Sequence, residues 1–126
     1  MSSSQSEHEV HASIVQWLEF ALPPGSIFHH SPNEGRHHVR YRMKLKKMGL
    51  CAGWPDLELL VPIDYWFNPA WGPLYMEVKN EKGKLTKNQK QVLELLDKAG
   101  GHVSVVRSID DASNFLSQFV ELKAYA

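Results

Sequence analysis

One short segment constrains the fold most: from Leu74 to Lys79 the chain reads Leu-Tyr-Met-Glu-Val-Lys, with regular alternation of side-chain character. Successive side chains of a β-strand point to opposite faces of a sheet. Leu74, Met76 and Val78 are therefore predicted to face one way, and Glu77 and Lys79 to share the other face. The chain must form a sheet around this segment.

Other segments show the periodicity of helices and short strands. Apolar residues recur at helical spacing after Glu7, and two prolines and a glycine at 23–25 end that helix. Taken together, the segments predict an α/β fold with a small mixed sheet flanked by helices. The predicted elements are, in order, a helix from Glu7, a short apolar run at 26–28 that can form a strand, a basic helix at 39–48, strands at 57–62 and 74–79, a helix from Thr86 to about Lys98 with Val92, Leu95 and Leu96 inward, a strand at 102–106 and a helix capped by Ser108.

The length and composition predict one ordinary globular domain. The chain has 126 residues, 43% of them hydrophobic, and Lys and Arg balance Asp and Glu at zero net charge. Residues 1–6 are expected to be flexible and residues 7–126 to form the domain. No apolar stretch reaches the roughly 18 residues of a membrane span, and no leader pattern is read at the start. Cys51 is the only cysteine, which excludes an internal disulfide and favours a reducing, cytoplasmic location.

Positive charge is concentrated in one segment although the whole chain is neutral. Six of the fourteen Lys and Arg residues fall within it, with no acidic residue among them. They are Arg36, Arg40, Arg42, Lys44, Lys46 and Lys47. A local field of one sign attracts polyanions, so this basic segment is predicted to bind DNA phosphates, largely without reading sequence. A solvated helix face is the alternative interpretation.

Asp56, Glu77 and Lys79 are the residues best suited to catalysis. Asp56 lies at the entry to one predicted strand, and Glu77 and Lys79 share one face of the next. If the two strands pair, both carboxylates and the ammonium group converge. Adjacent carboxylates repel each other and favour a hard cation such as Mg²⁺ or Mn²⁺, which can activate water for phosphodiester hydrolysis. The alternative is an ordinary ion pair between Glu77 and Lys79 on a solvated strand face.

These residues belong to an ordered set of short motifs that spans most of the chain. The set is Gly53-Trp54-Pro55-Asp56, Glu77-Val78-Lys79, Gly83-Lys84-Leu85-Thr86 and Gln89, with further matches between Glu7 and Phe119. In this order and spacing it resembles the VRR-NUC branch of the PD-(D/E)xK nucleases. The resemblance implies a restriction-endonuclease-like core.

The resemblance also implies a role for each matching residue. Asp56 and Glu77 would bind the metal ion, with the backbone carbonyl of Val78 as a further oxygen. Glu7 would reach the ion directly or through water. Lys79 would be the catalytic lysine, and Gln89 would help to complete the site. Glu9 is the rival of Glu7, and His11 stands where relatives often have glutamine.

The resemblance and the charge pattern together predict a metal-dependent DNA endonuclease. Small members of this family resemble virally encoded nucleases that cut branched DNA, including four-way junctions, as homodimers. One small chain has one active site, whereas symmetric cutting of two strands requires two, which agrees with a dimer. The alternatives are a flap, nicking or restriction-type nuclease on the same site, and a nucleic-acid-binding module without catalysis.

The remaining histidine, cysteine and aromatic residues are not assigned to catalysis. The adjacent pairs His29-His30 and His37-His38 lack the spacing that places two zinc ligands on one helix face, so phosphate or base contacts, or surface exposure, are favoured over a zinc site. Cys51 is predicted to be a small buried residue. Trp66, Phe67 and Trp71 are predicted to cover the sheet or to form a subunit interface.

Overall fold

The computed structural model describes residues 5–31 and 51–123, together with Met43, Lys47 and Gly49. Met43 and Lys47 are helical and exposed. The rest of the predicted basic helix lies outside the described residues.

The described elements follow the predicted order closely. They are helix α1 at Glu7–Ala21, strand β1 at Ile27–His30, strand β2 at Leu57–Leu60, a 3₁₀ turn at Ile63–Tyr65, strand β3 at Leu74–Val78, helix α2 at Lys87–Lys98, strand β4 at His102–Val106 and helix α3 at Ile109–Leu116. The helices α1, α2 and α3 each begin after a residue whose side chain accepts a backbone hydrogen bond, namely Ser6, Thr86 and Ser108. Because such caps satisfy orphan N–H groups, they fix where each helix begins.

The four described strands form one sheet in the order β1-β2-β3-β4. β1 pairs with β2 and β2 with β3 in antiparallel register, whereas β3 and β4 are parallel. A parallel pair needs a crossover connection, and α2 provides it between β3 and β4. The predicted fold class, an α/β fold with a small mixed sheet flanked by helices, is confirmed.

One face of the sheet is covered by α1 and α3. Leu57 is the register partner of Met76, and Val78 is the partner of Val106, so these buried side chains share a face. The apolar stripe predicted for α1 packs against this face. The core cluster comprises Val10, Ile14, Trp17, Leu18, Ala21, Leu22, Leu57, Leu59, Leu74, Met76, Val78, Val106, Ala112, Phe115, Leu116 and Val120.

Helix α2 lies on the opposite face, and its predicted orientation needs correction. Val92 is buried as expected, but the second buried apolar residue is Leu93, while Leu95 is 64% exposed. The residues of α2 that face the sheet are therefore Gln89, Val92 and Leu93, at positions i, i+3 and i+4. Gln89 fixes this rotation because its side chain bonds a strand carboxylate.

The connection from β2 to β3 agrees with expectation at one of its three aromatic residues, whereas the single cysteine differs from expectation. Trp66 packs against the core and donates a hydrogen bond of 3.0 Å from Nε1 to the Val61 carbonyl oxygen, whereas Phe67 and Trp71 are exposed. Cys51 is exposed rather than buried, because it lies in the turn that precedes Gly53 and not in a strand. Among the residues described here, no helix combines the length and the apolarity that a membrane crossing needs.

Candidate active site

The carboxylate of Asp56 is held at one end of the sheet by the pairing of β2 with β3. β2 begins directly after Asp56, and Leu57 lies opposite Met76. Asp56 Oδ2 accepts a hydrogen bond of 2.8 Å from the backbone N–H of Val78. The strand pairing that the two motifs required is therefore present, and it brings Asp56 to the residue next to Glu77.

Glu7 reaches the same place from the beginning of α1. Carboxylate oxygens of Glu7, Asp56 and Glu77 all lie within 4.8 Å of one another. Glu9 instead accepts a hydrogen bond of 3.2 Å from the backbone N–H of Ser6 within the capping box of α1. The helix start therefore directs Glu7, and not its rival, to the two strand carboxylates.

Lys79 is buried beside these carboxylates. Its Nζ lies 3.5 Å from Glu77 Oε2 and 4.0 Å from Glu7 Oε2. Only 6% of the residue is exposed, so this is no ordinary ion pair on a solvated face. The backbone N–H of Lys79 donates to the Val106 carbonyl oxygen at 3.0 Å, which continues the β3–β4 ladder past the end of β3.

Gln89 connects the first turn of α2 to the same carboxylate. Its Nε2 donates a hydrogen bond of 3.0 Å to Glu77 Oε2, and its Oε1 accepts one of 2.9 Å from the backbone N–H of Thr86. The second bond belongs to a capping box, in which Thr86 Oγ1 also accepts from the Gln89 N–H. The Thr-x-x-Gln spacing is a sequence signature of such a box. One side chain thus starts the helix and orients Glu77.

The electrostatics of this cluster favour a cation. Burial, together with the charge and the hydrogen bond of Asp56, raises the pKa of Glu77 from 4.5 to about 8. The positive charge of Lys79 acts in the opposite direction, but it does not compensate the burial and the two neighbouring carboxylates. Oxygen donors of this kind are the ligands that Mg²⁺ and Mn²⁺ prefer.

Two histidines border the cluster; the family resemblance pointed to the position of His11, whereas no sequence motif pointed to His30. His30 Nδ1 lies 3.3 Å from the Asp56 carbonyl oxygen, and the His11 ring meets the His30 ring edge to face at a centroid distance of 4.6 Å. Burial, followed by the charge of His30, lowers the pKa of His11. The i, i+4 offset of His11 from Glu7 on α1 was a further signal. The approach of His30 depends on the pairing of β1 with β2, which no local motif reveals.

Two groups of predicted site residues are not brought together by the described structure. Of the six basic residues assigned to DNA binding, only Lys47 is described, and it is exposed. Arg36, Arg40, Arg42, Lys44 and Lys46 lie outside the described residues. Val78 contributes its N–H to Asp56, and metal binding by its carbonyl oxygen stays a prediction.

Fold and site together define a class of protein, an α/β domain of the nuclease type. Its mixed sheet carries an acidic cluster and a buried lysine where the two inner strands meet.

Comparison with known proteins identifies the family. The sequence profile of the VRR-NUC domain family matches residues 1–110, and the chain belongs to this family. A solved structure described as a VRR_NUC domain protein is similar at a TM-score of 0.70 and 29% sequence identity, covering 93% of this chain and 89% of that chain. A comparison with curated proteins returns no match. The predicted family is therefore confirmed, and with it a nuclease-type function.

Proposed function

We propose that the protein is a DNA endonuclease that depends on a divalent metal ion, Mg²⁺ or Mn²⁺. The observation that carries this proposal is the convergence of Glu7, Asp56 and Glu77, whose carboxylate oxygens lie within 4.8 Å of one another. They come from the start of α1, from the residue before β2 and from β3, and Lys79 Nζ lies 3.5 Å from Glu77 Oε2.

The donor set fits such an ion. Three carboxylates offer hard oxygen ligands, and burial, followed by the neighbouring charge of Asp56, raises the pKa of Glu77. Glu7, Asp56 and Glu77 would hold the ion, with the Val78 carbonyl as a further oxygen. A divalent ion bound there supplies Lewis acidity toward a phosphodiester and lowers the pKa of water.

The chain's own residues prepare the rest of the site. Lys79 Nζ is placed to orient the attacking water or to stabilise negative charge that develops on the phosphate. Gln89 orients Glu77 through its bond to Oε2, and the Val78 N–H orients Asp56 through Oδ2. Their interactions exist before DNA binds, so little reorganisation is needed at the moment of reaction.

Cleavage of a labelled DNA panel tests the proposal. Duplex, single strand, flap and four-way junction are incubated with Mg²⁺, Mn²⁺ or EDTA, using the wild type and Glu77→Gln. Glu94→Gln, which neutralises an exposed carboxylate on α2, is the matched control. We expect metal-dependent cutting that falls at least about 100-fold in Glu77→Gln and is unchanged in the control.

Two outcomes would contradict the proposal. Cutting that persists in EDTA would refute metal dependence. Binding without cutting of any DNA would favour the alternative of a module without catalysis.

We further propose that the substrate is branched DNA, cut by a homodimer, and that the basic segment from Arg36 to Lys47 holds its phosphates. The family resemblance and the presence of one candidate site per chain support this. We place the activity in the cytoplasm, where an exposed cysteine such as Cys51 stays reduced. Junction cleavage rates and light-scattering mass test the first two points. A strict monomer that ignores junctions would refute both, and a preference for flaps or nicked duplex would favour the alternative nucleases.

A further inference from the structure

Arg107 lies directly after β4, outside the acidic cluster, and reaches back to the turn that follows Lys79. Its Nη1 donates hydrogen bonds of 2.7 Å to the carbonyl oxygens of both Asn80 and Gly83. The side chain is half-buried. Hydrogen bonds from a charged donor are stronger than those between neutral groups, so Arg107 closes this turn firmly.

The turn that Arg107 closes packs against the stem of Lys79. A Cβ atom added at Gly83 would lie 3.3 Å from Lys79 Cδ and 3.4 Å from Lys79 Cβ. The same glycine donates its N–H to the Asn80 carbonyl oxygen at 3.2 Å. Since Lys79 is buried, this turn forms one wall of the space in which its ammonium group sits.

The chain then leads from the turn into the cap of α2. Thr86 follows Gly83 by three residues and shares the capping box with Gln89. Glu77 is therefore contacted from both ends of the same turn, by Lys79 before it and by Gln89 after it.

We infer that Arg107 is a positioning residue of the proposed nuclease site, which sets the place of Lys79 and Gln89 through the turn at residues 80–83. The hydrogen bonds of its guanidinium group go to the two backbone carbonyls of the turn and not to the carboxylate cluster. The inference rests on the proposed function, because it assigns Lys79 a part in cleavage.

Three variants test the inference. Arg107→Ala removes both hydrogen bonds, and Arg107→Lys keeps the charge without the planar guanidinium donor. Lys98→Ala is the control, since it removes an exposed cation from the last turn of α2.

A misplaced catalytic group lowers turnover rather than binding. We expect kcat of Arg107→Ala to fall about 30- to 100-fold, because displacements near 1 Å have costs of this size. KM for DNA and the dissociation constant of Mn²⁺ should stay close to the wild-type values. The kcat of Arg107→Lys should lie between those of the wild type and Arg107→Ala. The kcat of Lys98→Ala should match that of the wild type. Millimolar guanidinium chloride should restore part of the kcat of Arg107→Ala, whereas NaCl at equal ionic strength should not.

Opposite results overturn the inference. An Arg107→Ala variant with wild-type kcat, or with raised KM and unchanged kcat, would make Arg107 a bystander or a DNA contact. If Arg107→Ala does not fold, as judged by circular dichroism, Arg107→Lys is used in its place. A lowered kcat with unchanged KM then supports the inference, and an unchanged kcat overturns it.

Amide hydrogen exchange separates this inference from the proposed function. In metal-free protein without DNA, the Gly83 N–H of Arg107→Ala should exchange faster than in the wild type, while amides in the middle of α1 should not change. Unchanged exchange at Gly83 overturns the positioning role. If the wild type cuts no DNA, the proposed function fails, and the exchange result still decides whether Arg107 holds the turn.

Discussion

Replacing Glu77 by glutamine tests the electrostatics of the site without any substrate. In metal-free protein, burial and Asp56 raise the pKa of Glu77 from 4.5 to about 8. A raised pKa means that the folded state holds this proton more tightly than the unfolded chain. The contribution of this proton to the free energy of unfolding is therefore complete below pH 4.5 and is lost as the pH rises through 8. At about 1.4 kcal/mol per pH unit, the loss amounts to at most about 5 kcal/mol, of which about 4 fall between pH 5 and pH 8.

The glutamine variant isolates this contribution because its amide does not titrate and still offers an oxygen to Gln89. Urea unfolding in EDTA, followed by tryptophan fluorescence from pH 5 to pH 8, gives the free energies of unfolding. We expect Glu77→Gln to gain about 4 kcal/mol relative to the wild type over this range. Saturating Mg²⁺ at pH 8 should stabilise the wild type more than the variant, because it binds the folded ionised site. The reasoning would be refuted if the difference in free energy of unfolding between variant and wild type changed by less than about 1 kcal/mol from pH 5 to pH 8. Glu77 would then be ionised in the folded protein over this range.

Lys79→Ala is expected to bind DNA like the wild type but to lose cleavage, because the ammonium group is placed for the reaction; comparable cutting in a gel assay would contradict its role. If the six cations of the basic segment contact phosphates, log affinity for duplex DNA, measured by fluorescence anisotropy, should fall with log salt at a slope of about −5, and a slope near zero would remove the segment from the interface. Gly53→Ala should unfold more easily than Gly100→Ala, since both positions have positive φ but only at Gly53 would the added Cβ lie 2.6 Å from the backbone of Asn88. Both variants carry the backbone cost of about 1–2 kcal/mol, so equal midpoints in urea would show that the loop before Asp56 does not pack on α2 as described.

Local pattern predicted the elements that build the site. The alternation of β3 assigned Glu77 and Lys79 to one face, and the capping residues Thr86 and Ser108 marked where two of the helices begin. The preference for Glu7 over Glu9 also agrees with the geometry, because a helix turns side chains two residues apart to different sides.

Features that depend on contacts between distant segments could not be predicted in this way. Leu95 and Leu93 fit the amphipathic pattern of α2 about equally well, and the bond from Gln89 to Glu77 decides which one turns inward. Trp66, Phe67 and Trp71 were predicted as one group, but Trp66 packs on the core and bonds the Val61 carbonyl oxygen, whereas Phe67 and Trp71 are exposed. In both cases tertiary packing selects between conformations that the local sequence leaves equivalent.

The last residues of β3 are the point to which each group of the site is tied. Asp56 bonds the Val78 N–H, Gln89 bonds Glu77, and Glu7 lies beside Lys79. These partners come from the neighbouring strand β2 and from helices on opposite faces of the sheet, so the cluster exists only when the sheet and both helical layers are assembled. The unfolded chain has no comparable arrangement of carboxylates, and binding energy at such a site is therefore linked to folding of the domain. A metal ion that binds there should raise the stability of α1, the sheet and α2 together, rather than order one loop.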